Sequence, residues 1–398
     1  MTTKTELLTI ADSCVKCGIC SPHCPTYTHS QNENESPRGR IALIQAWAGG
    51  NLTMTENLLE HIDNCLLCRA CEKACPAVVP YAKLIDDFRA QIHGEQSSPL
   101  AVKLVKNFAE NKRVQGWTKS LLMFYQQKNL QKTARFLHLP QLFGLKKIER
   151  LIPIHQATQP LQNYYPAQNT LRGEVGLFVG CMGEMFDFET VNAAIKVLTH
   201  VGFNVHLPEN QTCCGALALH EGDAETAQNL ATQNQNAFAG KNLQAIITIA
   251  SGCASTLKDY AQNVVDISHF LAQFELDLKP LAANLVVHSP CTLKNVLKTD
   301  KSVLKLLKQI PQANISQLPE STQCCGSAGI YSLKHEEMAQ TLLNELLETA
   351  LEQPANYVVS SNIGCALHIA AGLRERGENL QVVHPIVLVA KQIIDEVN

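Results

Sequence analysis

Apolar and polar positions along this chain follow two different rhythms, and the rhythm changes near the middle. In the first third the spacing is helical. The stretch "PRGRIALIQAWAGG" (37–50) repeats apolar residues every three or four positions and closes on a Gly-Gly stop. "TENLLEHIDNC" (55–65) and "YAKLIDDFRAQIHG" (81–94) predict two more helices. Residues 98–139 are amphipathic, basic and helical in period, and "LQNYYPAQNT" (161–170) reads as an extended linker. From residue 175 short β-rich runs alternate with helical ones. "EVGLFVGC" predicts a strand ending at Cys181, "ETVNAAIKVLTHVG" a helix, and "FNVHLPENQTCCG" a strand and loop ending at Cys213 and Cys214. "DAETAQNLATQNQNAF" predicts a further helix and "LQAIITIASGC" a strand ending at Cys253.

That order then repeats. "NLVVHSPC" ends at Cys291, "STQCCGSAG" carries Cys324 and Cys325, and "ANYVVSSNIGC" ends at Cys365. The offsets between copies are 110, 111 and 112 residues. Two homologous βα units follow, each a small parallel sheet flanked by helices. In such sheets ligands gather at the carboxyl ends of the strands, where these cysteines are expected. Each copy should bring four sulfurs together: Cys181, Cys213, Cys214 and Cys253, then Cys291, Cys324, Cys325 and Cys365. These are candidates for additional metal sites. Adjacent cysteines cannot both point inward from a strand, so each pair is placed on a loop. Gly215, Gly326, Gly252 and Gly364 are read as letting backbone approach a bulky inorganic group. His220, His288 and His368 lie near these positions, and each reads as a core or supporting residue before it reads as a ligand.

The N-terminal cysteines follow a tighter pattern. Cys14-x2-Cys17-x2-Cys20-x3-Cys24-Pro25 recurs fifty-one residues later as Cys65-x2-Cys68-x2-Cys71-x3-Cys75-Pro76. This is the bacterial ferredoxin spacing, in which the fourth cysteine of each run reaches the other cluster. Cys14, Cys17, Cys20 and Cys75 are assigned to one [4Fe–4S] cluster, and Cys65, Cys68, Cys71 and Cys24 to the second. The helices between the runs make this an α-helical ferredoxin module. Arg38 and Arg40 either support the clusters or simply pair with nearby carboxylates.

Composition narrows the setting. The 398 residues are 45% hydrophobic and 17% charged, with a net charge of −3, so nucleic acid is not an expected partner. No signal peptide or run of eighteen apolar residues is apparent, and a cytoplasmic location is expected. In a reducing compartment sixteen cysteines argue for metal rather than disulfides. No Gly-rich nucleotide or flavin fingerprint is present, and no catalytic residue is assigned. The expected fold is α+β and multidomain. A helical ferredoxin module (1–96) and a helical connector (97–172) precede two duplicated α/β Cys-Cys-Gly modules (173–280 and 281–398). The basic connector helices suit the protein's own core, a grip on a partner subunit, or a peripheral position on the inner membrane.

The segments "CGICSPHCPTY", "SPRGRIALI", "CLLCRACEKACP", "CCGALALH", "CCGSAGIYSL" and "NIGC" together resemble the iron–sulfur subunits of flavin-linked dehydrogenases, over nearly the whole chain. The likeness is greatest to the glycolate oxidase type. It extends to subunits linked to lactate and anaerobic glycerol-3-phosphate oxidation and to the heterodisulfide reductase B subunit. The resemblance implies FAD-binding flavoprotein partners that oxidise glycolate or D-lactate to the 2-oxo acid. This chain would carry the electrons to a quinone-type acceptor. The heterodisulfide type carries a fifth cysteine per module. Here Thr256 and His368 occupy those places, which speaks against a disulfide-reducing cluster. Each module is left with an iron–sulfur cluster, a zinc ion or no permanent group.

Overall fold

A computed structural model describes residues 2–93, 100–127, 130–142, 145–153, 159–320 and 324–394. Gly94, residues 98–99, residues 128–129 and residues 321–323 of the segments described above lie outside it.

The N-terminal part is helical, as its spacing predicts. Thr3 and Glu6 form a reciprocal cap on the helix Lys4–Asp12. Ser36 caps Pro37–Ala48 through the Gly39 N–H, with Pro37 in the first turn, where a missing N–H costs nothing. Thr55 caps Glu56–Asp63 in the same way, and Tyr81–Gln91 follows. Their apolar stripes meet in one core of Leu7, Ile41, Ile44, Leu58, Ile62, Leu84, Ile85 and Phe88. Trp47 meets Phe88 edge to face with ring centres 5.0 Å apart.

The connector helices Leu100–Glu110, Lys112–Gln127 and Lys146–Leu151 lie against the C-terminal half. Val102 is buried with Ile330 and Leu333, Lys106 pairs with Asp223 at 2.6 Å, and Lys147 pairs with Glu336 at 2.9 Å. The opposite face of Lys112–Gln127 stays exposed: Trp117 is 82% accessible and Leu121 69%.

The C-terminal half holds two sheets. Strands β1 (Tyr164–Tyr165), β2 (Gly173–Phe178), β3 (Phe203–His206), β4 (Ala245–Thr248) and β5 (Val264–Asp266) lie in the order β1-β3-β2-β4-β5. Strands β6 (Asn284–His288), β7 (Asn314–Gln317), β8 (Tyr357–Ser360) and β9 (Gln381–Val383) lie in the order β7-β6-β8-β9. All neighbours are parallel except β1, which pairs antiparallel with β3 and takes up part of the expected linker. Apart from that edge strand the two copies share one strand order, so the duplication read from the offsets is also a duplication of topology. The copies are not separate globules. Val175, Val205 and Ile247 of the first share one core with Leu285, Val287 and Val359 of the second. The last helix, Pro385–Gln392, packs on the first copy's helix Phe188–Val201.

Candidate metal centres

The two N-terminal runs close around two hollows. One is lined by Cys14, Cys17, Cys20 and Cys75, the other by Cys24, Cys65 and Cys68, and Cys71 borders both. The fourth cysteine of each run therefore lies with the other run. The same backbone bend builds both: Lys16 and Gly18 in the first run, Leu67 and Arg69 in the second, all have positive φ. A left-handed turn between successive cysteines swings each thiol toward a common centre, at a strain of about 1–2 kcal/mol per non-glycine residue.

The hollows differ in exposure. Val15, Ile19 and Val78 are exposed on or beside the loops of the first, and Cys17 is exposed. The second is buried, and burial pushes the Cys68 and Cys71 thiols well up from their ordinary range. Arg38 flanks the first hollow and pairs with Glu33 at 2.6 Å. Arg40 is 1% exposed and serves the second. It donates to Thr26 Oγ1 at 3.1 Å and the His61 carbonyl at 2.7 Å, pairs with Glu35, and reaches Cys24 Sγ at 3.9 Å. Burial works to discharge this guanidinium, but Tyr81, Cys65, Cys24 and Glu35 outweigh it and hold the cation. Arg40 is thus paired with a carboxylate and also places its positive charge beside a cysteine. Glu35, His61 and Asn64, which orient it, carry no spacing signal. The only local hint is Glu35 standing next to the Ser36–Pro37 helix start.

In the C-terminal half all eight cysteines lie where the strands end, but not on the strands. Cys181, Cys253 and Cys365 sit in the first turns of the helices Gly180–Phe186, Ser251–Leu257 and Ile363–Glu375. Cys291 precedes a π-helical turn, Thr292–Leu297. The strands stop earlier, at Phe178, Thr248, His288 and Ser360. The Cys-Cys-Gly motif has a local cause. Gly215 (φ 88°) and Gly326 (φ 78°) turn left-handed, and their N–H groups donate back to Cys213 Sγ at 3.5 Å and Cys324 Sγ at 3.4 Å. A side chain at Gly252 would crowd Asn362, and one at Gly364 would crowd Ser327, so these glycines make room for protein.

Within each set the thiols lie close enough to shift one another's titration, Cys181 with Cys213, Cys214 with Cys253, Cys291 with Cys324 and Cys325 with Cys365. In the second set the neighbouring Cys291 and Cys325 thiols hold Cys324 well below the ordinary thiol range. His288 is buried within reach of this set. Desolvation lowers it to about 4, so its imidazole is neutral at physiological pH. His368 is buried too, whereas His220 is drawn away to Asp86 at 3.0 Å. Thr256 turns its hydroxyl to the Gly252 carbonyl at 3.5 Å.

The second ferredoxin run docks on the second copy. Leu66 packs with Cys324, Tyr331 and Leu342, and Asn295 donates to the Cys68 carbonyl at 2.8 Å. Asp63 pairs with Lys334 at 2.6 Å and with His335 at 3.0 Å. Burial raises the Asp63 carboxyl, but His335, Lys334 and Arg89 outweigh it and hold it well below the carboxylate range. Asn362 ties the copies together, accepting from the Gly252 N–H at 3.1 Å and donating to Cys365 Sγ at 3.4 Å.

A helical two-hollow cysteine module joined to paired Cys-Cys-Gly sheets defines a class of iron–sulfur protein, and comparison with known proteins bears this out. Residues 10–79 match the 4Fe-4S dicluster domain, and residues 175–258 and 285–370 each match the cysteine-rich domain. The chain is 30% identical to the probable glycolate oxidase iron-sulfur subunit of Bacillus subtilis (strain 168), over 92% of this chain and 89% of that protein. It is 29% identical to the glycolate oxidase iron-sulfur subunit of Escherichia coli (strain K12), over 93% and 92%. Lactate utilization protein A 2 of Bacillus cereus (strain Q1) is 27% identical over 55% of this chain and 98% of its own length. The chain belongs to the family of glycolate oxidase iron–sulfur subunits. No helix among the described residues is long and apolar enough to cross a membrane.

Proposed function

We propose that this chain is the electron-transfer subunit of a flavin-dependent glycolate dehydrogenase. It takes electrons from FAD-binding flavoprotein subunits and delivers them to a quinone-type acceptor. The observation that carries the reading is the crossed arrangement of eight cysteines around two adjoining hollows, the first with the more exposed thiols. Cys14, Cys17, Cys20 and Cys75 are assigned to the first [4Fe–4S] cluster, and Cys65, Cys68, Cys71 and Cys24 to the second. Such clusters accept and release single electrons, whereas a flavin collects two at a time.

The chain's own residues support the task. Exposed Val15, Ile19 and Val78 give the first hollow an apolar surround suited to a docking flavoprotein. Arg40 offsets the negative charge of the buried set. A cavity between the connector and the two copies is lined by Leu122, Met185, Phe188, Asp187 and His384. Its mixed lining suits a quinone head group. Burial pushes the Asp187 carboxyl up to about 7, so Asp187 can hold and release a proton near neutral pH. Trp117 and Leu121, one helical turn apart, present an apolar face that suits the cytoplasmic surface of the inner membrane.

The test is anaerobic. The chain is mixed with its flavoprotein subunits and glycolate, and cluster reduction is followed by EPR. Reduction by glycolate supports the reading; reduction by D-lactate alone moves the chain to a lactate system, which the 27% identical lactate utilization relative brings into view. No reduction by either, with dithionite still effective, refutes a 2-hydroxy-acid donor.

A further inference from the structure

The two Cys-Cys-Gly copies share their cysteines but not their neighbours. Aligned on Cys181 and Cys291, the last residue of β2 is Phe178 and the last residue of β6 is His288. Phe178 packs against Phe238, with ring centres 6.4 Å apart. His288 is 5% exposed and lies opposite Ser360 of β8, whose hydroxyl meets its Nδ1 at 3.0 Å. A ring nitrogen of His288, Cys325 Sγ and Cys365 Sγ all lie within 4.8 Å of one another. Among the described residues no other three histidine, cysteine or carboxylate ligand atoms come so close, in the first copy or around the ferredoxin hollows.

The geometry points to a single zinc-class ion in the second copy, held by His288, Cys325, Cys365 and a fourth ligand from Cys291 or Cys324. The spacing argues for one ion. Ligands at bond lengths of about 2.0–2.3 Å around a tetrahedral ion stand roughly 3.5–4 Å apart. Thiolates on different corners of an iron–sulfur cube stand farther apart, around a hollow such as those of the N-terminal runs. The surroundings also fit a metal. Ser360 fixes the imidazole ring, as a partner on the second nitrogen does for a zinc-bound histidine. Asn362 and the Gly326 N–H donate to Cys365 and Cys324, steadying thiolates without competing for the ion. Such an ion takes no electrons. Its place is structural: it pins the Cys324–Cys325 loop on which Leu66 of the second ferredoxin run is seated. The inference holds whichever hydroxy acid feeds the complex.

The test uses the full chain, purified anaerobically, with zinc, iron and sulfide counted per chain and the zinc edge examined by X-ray absorption. The expected result is one zinc with mixed sulfur and nitrogen ligands. His288→Phe, which copies the first module, should lose the zinc or weaken its binding at least tenfold while the iron content is unchanged. His288→Cys should keep the ion and shift its shell to sulfur alone. A wild-type zinc shell of sulfur only would overturn the proposal. So would iron in place of zinc at this site, or a His288→Phe protein with full zinc occupancy. The wild-type spectrum decides the matter even if a variant fails to fold.

Discussion

The two Cys-Cys-Gly copies have the same strand order and the same four cysteines, yet they are placed in different company. The first is bordered by Phe178 and Thr256, with its first cysteine inside an α-helix. The second is bordered by His288 and His368, with a π-helical turn in that place, and Leu66 of the second ferredoxin run packs against its Cys324. The scaffold delivers four thiols; what those thiols can hold is decided by residues outside the motif. A C-C-G match in a sequence therefore fixes a location, and the flanking side chains fix the chemistry.

The comparison can be broken most sharply at the cysteines that cross between hollows. Cys24→Ser should remove the second cluster and leave the first, and Cys75→Ser should do the reverse. Each should lower the iron content by about half, from about eight to about four. EPR of the two reduced variants should show complementary remaining signals. If both variants lose the same signal, the crossed assignment is wrong.

The next effect belongs to the docking of the second run. Asp63→Asn leaves Lys334 and His335 without their shared partner, at roughly 3 kcal/mol for a buried pair broken on one side. The pair also sets an acid limb. A carboxyl held below its ordinary value contributes stability above that value and loses it as pH falls through the depressed one. The wild type should therefore lose stability on acidification from about pH 4 downward, and Asp63→Asn should lose less over the same window. Melting temperatures across that range check both statements.

The opposite sign is expected at Asp187. Its carboxyl is raised to about 7 by burial, so its contribution is fully present below about pH 4 and declines as pH rises toward 7. Asp187→Asn should flatten that decline. A variant whose melting profile parallels the wild type would remove Asp187 from the list of groups that titrate near neutrality.

The smallest expected difference separates the two glycines after the cysteine pairs. Both have positive φ, but a methyl at Gly326 would clash with the Ala339 carbonyl, whereas at Gly215 the nearest atom is the Ala227 carbonyl oxygen at 3.3 Å. Gly215→Ala should cost about 1 kcal/mol and Gly326→Ala about 2–3 kcal/mol, read by chemical denaturation. Equal costs would mean that the second loop relaxes as freely as the first.

Much of this architecture is legible in the sequence because it rests on local rules. Cysteine spacing identifies the two runs, offsets near 111 residues identify the duplication, and β2, β4, β6 and β8 are carried by runs of Val, Ile and Leu. Edge strands are not legible: Asn314–Gln317 is largely exposed and polar, so no apolar alternation marks it. The placement of Cys181, Cys253 and Cys365 in helices is also hidden, because apolar residues such as Val179 and Ile249 run past the points where the strands stop. Long-range partners leave no trace at all. Asp63 meets Lys334 across 271 residues, and Arg40 reaches the carbonyls of His61 and Asn64, 21 and 24 residues away, through a fold that no spacing predicts.

The most direct measurement is a count of iron, acid-labile sulfide and zinc in the anaerobically purified full chain, with EPR of the reduced protein. The account predicts about eight irons, about eight sulfides, two interacting [4Fe–4S] signals and one zinc. Twelve or more irons without zinc would contradict it, placing a cluster in the Cys-Cys-Gly half and making that half a redox centre.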